Sequence, residues 1–163
     1  MNYRNGVISL IHAARNWRVS VVLMFTMVFS IGNQQAQATQ LAEKCDLHFS
    51  NGTVLQGVPV VRTIEQQAKG LSNRSNVGPG MLFSWDKPEP RIFWMRNTYV
   101  PLTIGFFDNT GLLFAVEDMQ PETDDHHFSN QPALDALELA HGEFQKHGLK
   151  EGVRLTSRTC VPQ

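Results

Sequence analysis

The sequence predicts a mainly β protein, a small β-sandwich or barrel-like domain with one or two short helices. Short β-prone segments recur along the chain from residue 46 onward. Turn motifs rich in Gly, Asn and Pro separate these segments. Few stretches have helical character, and frequent turns between many short strands are typical of sandwiches and barrels.

The N-terminus, residues 1–38, has the features of a cleavable signal peptide. Its first part is basic and contains no acidic residue, and residues 19–31 form an almost unbroken apolar run. This run is shorter than the roughly 20 apolar residues that a membrane-spanning helix requires. Ala36-Gln37-Ala38 matches the small-x-small motif of signal peptidase sites. We therefore predict cleavage before Thr39, no stable membrane span afterwards, and a periplasmic or secreted location; an uncleaved N-terminal anchor is the alternative.

Residues 39–163 form a single predicted domain. The whole chain is 42% hydrophobic and 18% charged, a composition that supports a buried core. Without the arginines of the signal peptide the domain has 11 basic and 15 acidic residues and a net charge of −4. A nucleic-acid partner is therefore not expected. No cofactor is indicated, and we expect a monomer.

Two cysteines, Cys45 and Cys160, lie near opposite ends of this domain. An even number of cysteines in an oxidising compartment favours a disulfide, which requires the two terminal segments to be neighbours. Neither cysteine has the C-x-x-C spacing or the adjacent base of a reactive thiol. We predict a structural disulfide, with two unpaired buried cysteines as the alternative.

The domain begins with a predicted hairpin and a short helix. Residues 46–49 and 53–62 are β-prone and flank an Asn-Gly pair, which is a strong signal for a hairpin turn. Thr63 and Gln66 have the spacing of a capping box, and Gly70 can end the helix that they begin. An apolar strand is predicted next, at residues 81–85.

The remaining predicted strands are apolar or aromatic segments bounded by turns. They are residues 91–97, 102–107, 112–116 and 153–159. A hairpin turn at Asp108-Asn109-Thr110-Gly111 joins the second of these strands to the third. Residues 133–141 are rich in Ala, Leu and Glu and favour a helix by composition alone.

Several motifs between Val58 and Leu155 form a recognisable set. They are Lys69-Gly70-Leu71 with Arg74, Gly80-Met81-Leu82-Phe83, Phe93-Trp94-Met95-Arg96-Asn97-Thr98 with Pro101-Leu102, Asp108 with Gly111, and Leu137-Glu138-Leu139 followed by Gly142 and Gly148-Leu149. In these motifs the chain resembles the domain of unknown function 192 family, which consists of small proteins of uncharacterised role. The resemblance implies a mainly β, sandwich-like fold and a strand at residues 136–139, and it implies no reaction.

The segment 93–101 is the first candidate site. On a strand, Trp94 and Arg96 share one face because side chains alternate. An Arg beside a Trp, with Asn97 and Thr98 at the strand end, can bind a carboxylate, sugar or peptide by stacking and forked hydrogen bonds. The structural interpretation, which we favour, is a core Trp with Asn97 and Thr98 bonded to the backbone of a tight connection.

Glu138 is the second feature of this candidate site, because it lies between two leucines. A carboxylate buried in such a run requires a cation or backbone donors. We expect Arg74 or Arg96 as its partner, since a guanidinium can form two parallel hydrogen bonds with a carboxylate. The predicted ligand-binding residues are therefore Arg74, Trp94, Arg96, Asn97, Thr98 and Glu138.

No metal or nucleophile motif accompanies these residues in the sequence. The segment Asp124-Asp125-His126-His127 contains metal-capable side chains but lacks metal-ligand spacing, so no metal site is predicted. The serines lack a G-x-S-x-G motif, and no Gly-rich loop has the spacing that holds a phosphate. A nucleotide-binding function is therefore not predicted.

Two classes of function remain open. The first is an exported, non-catalytic binding or accessory module for a small polar or peptidic envelope ligand. The second is an envelope hydrolase that uses Arg74, Glu138 and His141. An enzyme requires these three side chains to converge in one pocket, whereas a binding module requires only a concave aromatic surface.

Overall fold

Strands dominate the part of the chain that the structure describes, residues 42–161 of a computed structural model. The predicted signal peptide lies outside the described residues. The elements within that range are β1 (Glu43–Phe49), β2 (Val54–Val61), α1 (Ile64–Lys69), β3 (Met81–Glu89), β4 (Ile92–Phe93), β5 (Leu102–Phe107), β6 (Leu113–Met119), β7 (His127–Phe128), β8 (Ala133–Ala140), α2 (Glu143–Lys146) and β9 (Leu155–Val161). The predicted mainly β class with two short helices is confirmed. Neither of these helices is long and apolar enough to cross a bilayer.

Seven of the strands form one mixed sheet in the order β6-β5-β8-β3-β2-β1-β9, and β4 pairs with β7 separately. Neighbouring strands are antiparallel except β2 and β3, which are parallel and are connected through α1. The sheet curves until its two edges meet at a single bridge between Leu112 and Arg154. The described sheet is not closed into a barrel, because the backbone hydrogen bonds between its edges are confined to residues 111–113 and 152–155 and do not extend along β6 and β9.

Helix α1 begins at the predicted capping box. The Thr63 hydroxyl accepts a hydrogen bond from the Gln66 N–H at 3.2 Å, and the Gln66 side chain accepts one from the Thr63 N–H at 3.2 Å. Gly70, with a φ of 44°, ends the helix. The Gln67 side-chain amide donates to the Ser84 carbonyl at 3.1 Å, and this bond holds α1 against β3.

Strand β8 occupies the segment whose composition favours a helix. It pairs with β3 on one side and β5 on the other, and both of its faces are covered. Leu137 packs in one hydrophobic cluster and Ala136 in another on the opposite face. Burial on both faces explains the apolar run, since a central strand needs no polar alternation. The strand implied by the family resemblance is therefore correct.

Two hydrophobic clusters occupy the two faces of the curved sheet. The first cluster includes Phe107, Leu113 and Leu155, so it lies within the curve and spans both edges. The second includes Phe83 and Ile104 and is covered by residues that follow α1 and by the segment around Met95. The candidate site described below lies on the face that carries the second cluster.

The predicted strand at residues 91–97 is wrong beyond Phe93. Only Ile92 and Phe93 pair, with β7, and the chain then turns, with the Thr98 N–H donating to the Met95 carbonyl at 3.0 Å. Asn97 has a φ of 58°, a left-handed conformation that Asn tolerates and that interrupts a strand. Aromatic composition alone does not reveal this turn.

The terminal strands β1 and β9 are neighbours, as the disulfide prediction requires. Cys45 lies directly opposite Cys160 in the antiparallel ladder, and the two residues form a disulfide. The bond links positions 115 residues apart in sequence. The predicted disulfide is thus present in the structure.

Candidate functional site

An open groove of about 460 Å³ lies on the face of the sheet that carries the second cluster. Its walls come from α1 and the loop after it, from β3, and from residues 90–98. We call it the aromatic groove. The lining side chains used below are Lys69, Phe83, Trp85, Arg91, Phe93, Trp94, Thr98 and Glu138.

Four aromatic side chains form much of this surface. The Phe83 and Phe93 rings meet edge to face with centroids 5.0 Å apart, and the Trp85 and Phe93 rings do so at 6.3 Å. An irregularity of β3 between Ser84 and Glu89 interrupts its pairing with β8 at the position of Trp85. Trp94 is 54% exposed, so its ring is available to a ligand.

Arg91 is a fixed part of the groove wall. Its guanidinium carbon lies 4.2 Å from the centre of the Trp85 ring. Its Nε donates to the Ala133 carbonyl at 3.3 Å, one terminal nitrogen donates to the Lys87 carbonyl, and the other contacts Glu89 at 3.4 Å. Partial burial lowers the pKa of Arg91 from its ordinary value, and the charge of Glu89 opposes this shift. The guanidinium thus joins the irregular end of β3 to β8.

Glu138 is the most buried ionisable side chain of the groove, with 5% of its surface exposed. Its neighbours across the sheet are Met81 and Ile104, which offer no charge. The carboxyl has no hydrogen bond or ion pair with any residue between 42 and 161. Burial raises the pKa of Glu138 to about 8, so the group is largely protonated at pH 7.

The predicted ion pair between Glu138 and an arginine is therefore wrong. Arg96 binds Asp124 instead, with its Nε 2.7 Å from Oδ1, because the turn after Phe93 directs it to solvent. Arg74 is exposed on the loop that follows α1 and does not line the groove. Within residues 42–161, Glu138 therefore has no cation paired with its buried carboxyl.

The six predicted ligand-binding residues divide into two groups. Trp94, Thr98 and Glu138 line the aromatic groove together. Thr98 is only 4% exposed, and its hydroxyl has no hydrogen bond within the described range. Arg74, Arg96 and Asn97 lie outside the groove; Asn97 is exposed, and its carbonyl accepts a hydrogen bond from the Asn73 N–H at 2.8 Å.

His141 belongs to a different surface. It lines a second groove of about 550 Å³, where its Nδ1 lies 3.3 Å from the Asp118 carboxylate. The Thr103 hydroxyl donates to the same carboxylate at 2.6 Å. The structure therefore does not bring together Arg74, Glu138 and His141, the three residues of the alternative hydrolase.

The acidic segment before His127 is engaged in protein contacts. His127 Nδ1 lies 2.6 Å from Glu117, and Asp124 binds Arg96. Among residues 42–161, the one group of three potential metal ligands comprises Glu43, Cys45 and Cys160. The two sulfur atoms of that group are joined in the disulfide, so these residues do not offer thiolate ligands.

Sequence reasoning missed Phe83, Trp85 and Arg91 as groove residues. The sequence predicts a buried strand for Phe83 and Trp85 and places Arg91 at the start of an aromatic strand. The available signal was the concentration of aromatic residues on both sides of the proline-containing segment 86–90. A turn between two aromatic segments brings their rings together, as the Phe83, Trp85 and Phe93 contacts show.

The fold and the groove define a mainly β protein with one mixed, unclosed sheet and an aromatic groove on one face. The model of the DUF192 family, described as Uncharacterized ACR, matches residues 47–157. The chain belongs to this family, which is the one that its sequence motifs resemble. No curated protein matches the chain.

Two crystal structures are similar to the chain. One is of a protein from Sinorhizobium meliloti 1021 described as a candidate transcription regulator; it is 28% identical, covers 74% of this chain and 95% of its own, and has a TM-score of 0.63. The other is of a protein of unknown function from Novosphingobium aromaticivorans DSM 12444; it is 28% identical, covers 72% of this chain and 87% of its own, and has a TM-score of 0.64.

Proposed function

We propose that the protein is an exported, non-catalytic binding or accessory module of the cell envelope, periplasmic or secreted, that holds a small polar or peptidic ligand in the aromatic groove. The observation that carries the proposal is Glu138, a buried carboxyl that lines the groove without a partner among the described residues. Burying an ionisable group without a partner lowers the stability of the folded chain. Such groups are concentrated at binding and catalytic sites. The disulfide supports an oxidising compartment.

The surroundings of Glu138 support binding rather than catalysis. The four rings and the Thr98 hydroxyl offer stacking surfaces and a hydrogen-bonding group, which is the usual composition of a ligand site. The other ionisable side chains that line the groove are those of Lys69 and Arg91, so its described lining offers no second carboxyl and no histidine for acid–base chemistry. His141, the candidate base, lines the other groove.

A ligand panel tests the proposal directly. We expect one or more periplasmic metabolites, sugars or muropeptides to raise the melting temperature of the purified protein. Trp94→Ala should abolish the shift, since Trp94 lines the groove. Phe128→Ala is the matched control, because Phe128 is 47% exposed but lies outside the groove. Equal loss of the shift in both variants, or in neither, would contradict binding in the groove.

A further inference from the structure

We infer that the aromatic groove takes a ligand through a positively charged group of the ammonium or guanidinium class, with the Glu138 carboxylate as its counter-ion. This inference rests on the proposed binding function and names the chemical class of the ligand. Its starting observation is geometric, because the Glu138 side chain is 5% exposed and lines the groove. A buried carboxylate needs a cation or hydrogen-bond donors, and residues 42–161 supply neither.

The other charged side chains of the groove do not meet this need. Lys69 and Arg91 also line it, but neither forms an ion pair with Glu138 within 4.0 Å. Each side-chain nitrogen of Arg91 already contacts Ala133, Lys87 or Glu89. Lys69 is exposed at the last turn of α1. The position beside the Glu138 carboxyl is therefore available to a cation brought by the ligand.

The rings around this position favour the same class of ligand. The faces of Trp and Phe rings attract cations because of their quadrupoles. Two protein cations already lie over rings here: Arg91 over Trp85 at 4.2 Å and Arg96 over Trp94 at 6.0 Å. The rings of Phe83 and Phe93 have no such cation within the described range, and Phe83 lines the groove together with Glu138.

Proton exchange distinguishes a cationic ligand from a neutral one. Because the pKa of Glu138 is about 8, a cation that binds at pH 6.5 must displace a proton from the carboxyl. Its affinity should rise about tenfold per pH unit below pH 8 and become constant above it. A neutral ligand that accepts a hydrogen bond from the protonated carboxyl should instead lose affinity as the pH rises through 8.

The test uses matched probes on the purified protein. The first pair is the peptide acetyl-Gly-Lys-Gly-amide and its Nζ-acetylated form, which differ in the charge of the side chain. The third probe is n-butylammonium, which carries the same cation without a peptide. Binding is followed by amide shifts in NMR spectra, and proton release by calorimetry in buffers of different ionisation enthalpy. The variants are Glu138→Gln and, as control, Glu65→Gln, an exposed acid of α1 outside the groove.

We expect the lysine peptide to shift the amides of groove residues and to release close to one proton at pH 6.5. Acetylation of the lysine and Glu138→Gln should each weaken binding about tenfold or more, while Glu65→Gln leaves it unchanged. A peptide that binds more tightly than n-butylammonium indicates a peptidic ligand, and equal affinities indicate a free amine.

Three results would overturn the inference. If the acetylated peptide binds as well as the charged one, or affinity falls as pH rises, the groove binds ligands but Glu138 is not a counter-ion. If no cation shifts the groove amides, the inference fails, and the ligand panel still decides separately whether the groove binds. Should Glu138→Gln fail to fold, the pH profile and proton count of the unmodified protein remain decisive.

Discussion

Glu138 differs from Asp118 and Asp124, two acidic residues near the grooves, in being buried without a partner among residues 42–161. Asp118 and Asp124 each contact a histidine or arginine at the surface, where such pairs contribute little to stability. Glu138 instead lies in an apolar strand and keeps its proton at neutral pH. Its ionisation opposes folding, so the residue is a source of instability in the absence of a ligand.

This instability has a definite pH dependence. Below about pH 4 both the folded and the unfolded chain hold the Glu138 proton, and the residue has no effect. Between the unfolded pKa of about 4.5 and the folded pKa of about 8, the folded chain binds more protons, so its free energy of unfolding falls as pH rises. The decrease amounts to a few kcal/mol, about 1.4 per pKa unit at most.

We predict that Glu138→Gln removes this decrease, because the amide does not titrate. In urea unfolding at pH 5.5, 7 and 8.5, the variant should gain about 1–3 kcal/mol relative to the unmodified protein at the highest pH. Other titrating groups cancel in this difference. Parallel pH profiles for the two proteins would contradict the raised pKa of Glu138 in the folded chain.

Gly80 shows how closely β3 approaches β8 next to Glu138. It has a φ of +87°, and an added Cβ would overlap the Glu138 carbonyl oxygen and a methyl group of Leu139. Gly80→Ala should therefore lower the free energy of unfolding by about 2–4 kcal/mol. The control is Gly78→Ala, which has a similar positive φ of +60° but nothing within 4 Å of the added Cβ. Gly78→Ala should lower the free energy of unfolding by only about 1 kcal/mol. Equal decreases for the two variants in urea unfolding would contradict the close approach at Gly80.

At the scale of single residues, the sequence predicted that Glu138 is buried but did not predict which groups surround it. The position of Glu138 between two leucines indicated burial, and burial is what raises its pKa. The expected arginine partner could not be checked from sequence, because it depended on where the chain turns after Phe93. A left-handed Asn97 determines that turn, and Asn accepts both extended and left-handed conformations.

Strand β8 connects the two faces of the molecule. On the groove side it carries Glu138, and on the inner side Asp135, which is 2% exposed and pairs with Arg158 of β9. Arg158 also donates to the Ser84 hydroxyl at 3.0 Å. This pair spans the curve of the sheet, since β9 is the edge strand and β8 is central.

We predict that the Arg158 contact is required for a stable fold. Arg158→Leu leaves the Asp135 carboxylate buried without its cation and should reduce the free energy of unfolding by about 3–5 kcal/mol. Arg154→Leu is the comparison, because Arg154 is exposed and its side chain contacts Thr110; its loss should not exceed about 1 kcal/mol. Similar decreases in the free energy of unfolding of the two variants, measured with urea, would show that the Asp135–Arg158 pair stabilises the fold no more than an exposed contact does.

The elements that could be predicted are those with a local signal. The Asn-Gly hairpin and the Thr63–Gln66 capping box form within a few residues, so their motifs suffice. The 133–141 segment has a helical composition, but pairing with β3 and β5 overrides that local preference. The parallel pairing of β2 with β3 depends on contacts distant in sequence, and no local motif specifies it.

At the scale of the whole described domain, residues 42–161, a disulfide between Cys45 and Cys160 links the two terminal strands. We predict that the double variant Cys45→Ala, Cys160→Ala loses up to about 5 kcal/mol of stability, because the bond restricts a loop of about 115 residues in the unfolded chain. Reductant should destabilise the unmodified protein by a similar amount and leave the variant unaffected. A variant with an unchanged unfolding midpoint would contradict this role.

Export is a separate prediction for the whole chain. Protein isolated from its native host should begin at Thr39, because Ala36-Gln37-Ala38 fits the signal peptidase motif. N-terminal sequencing or intact-mass analysis provides the measurement. A membrane-bound chain that retains Met1 would contradict cleavage and favour the uncleaved anchor.

The bond between neighbouring terminal strands also determines how the chain responds to pulling and to proteases. A force applied to the two ends of the described chain passes through the sulfur atoms, and the sequence between Cys45 and Cys160 carries none of it. A cut in a surface loop such as residues 120–126 would likewise leave both fragments covalently attached. A molecule nicked in this way would keep its two fragments together until the disulfide is reduced.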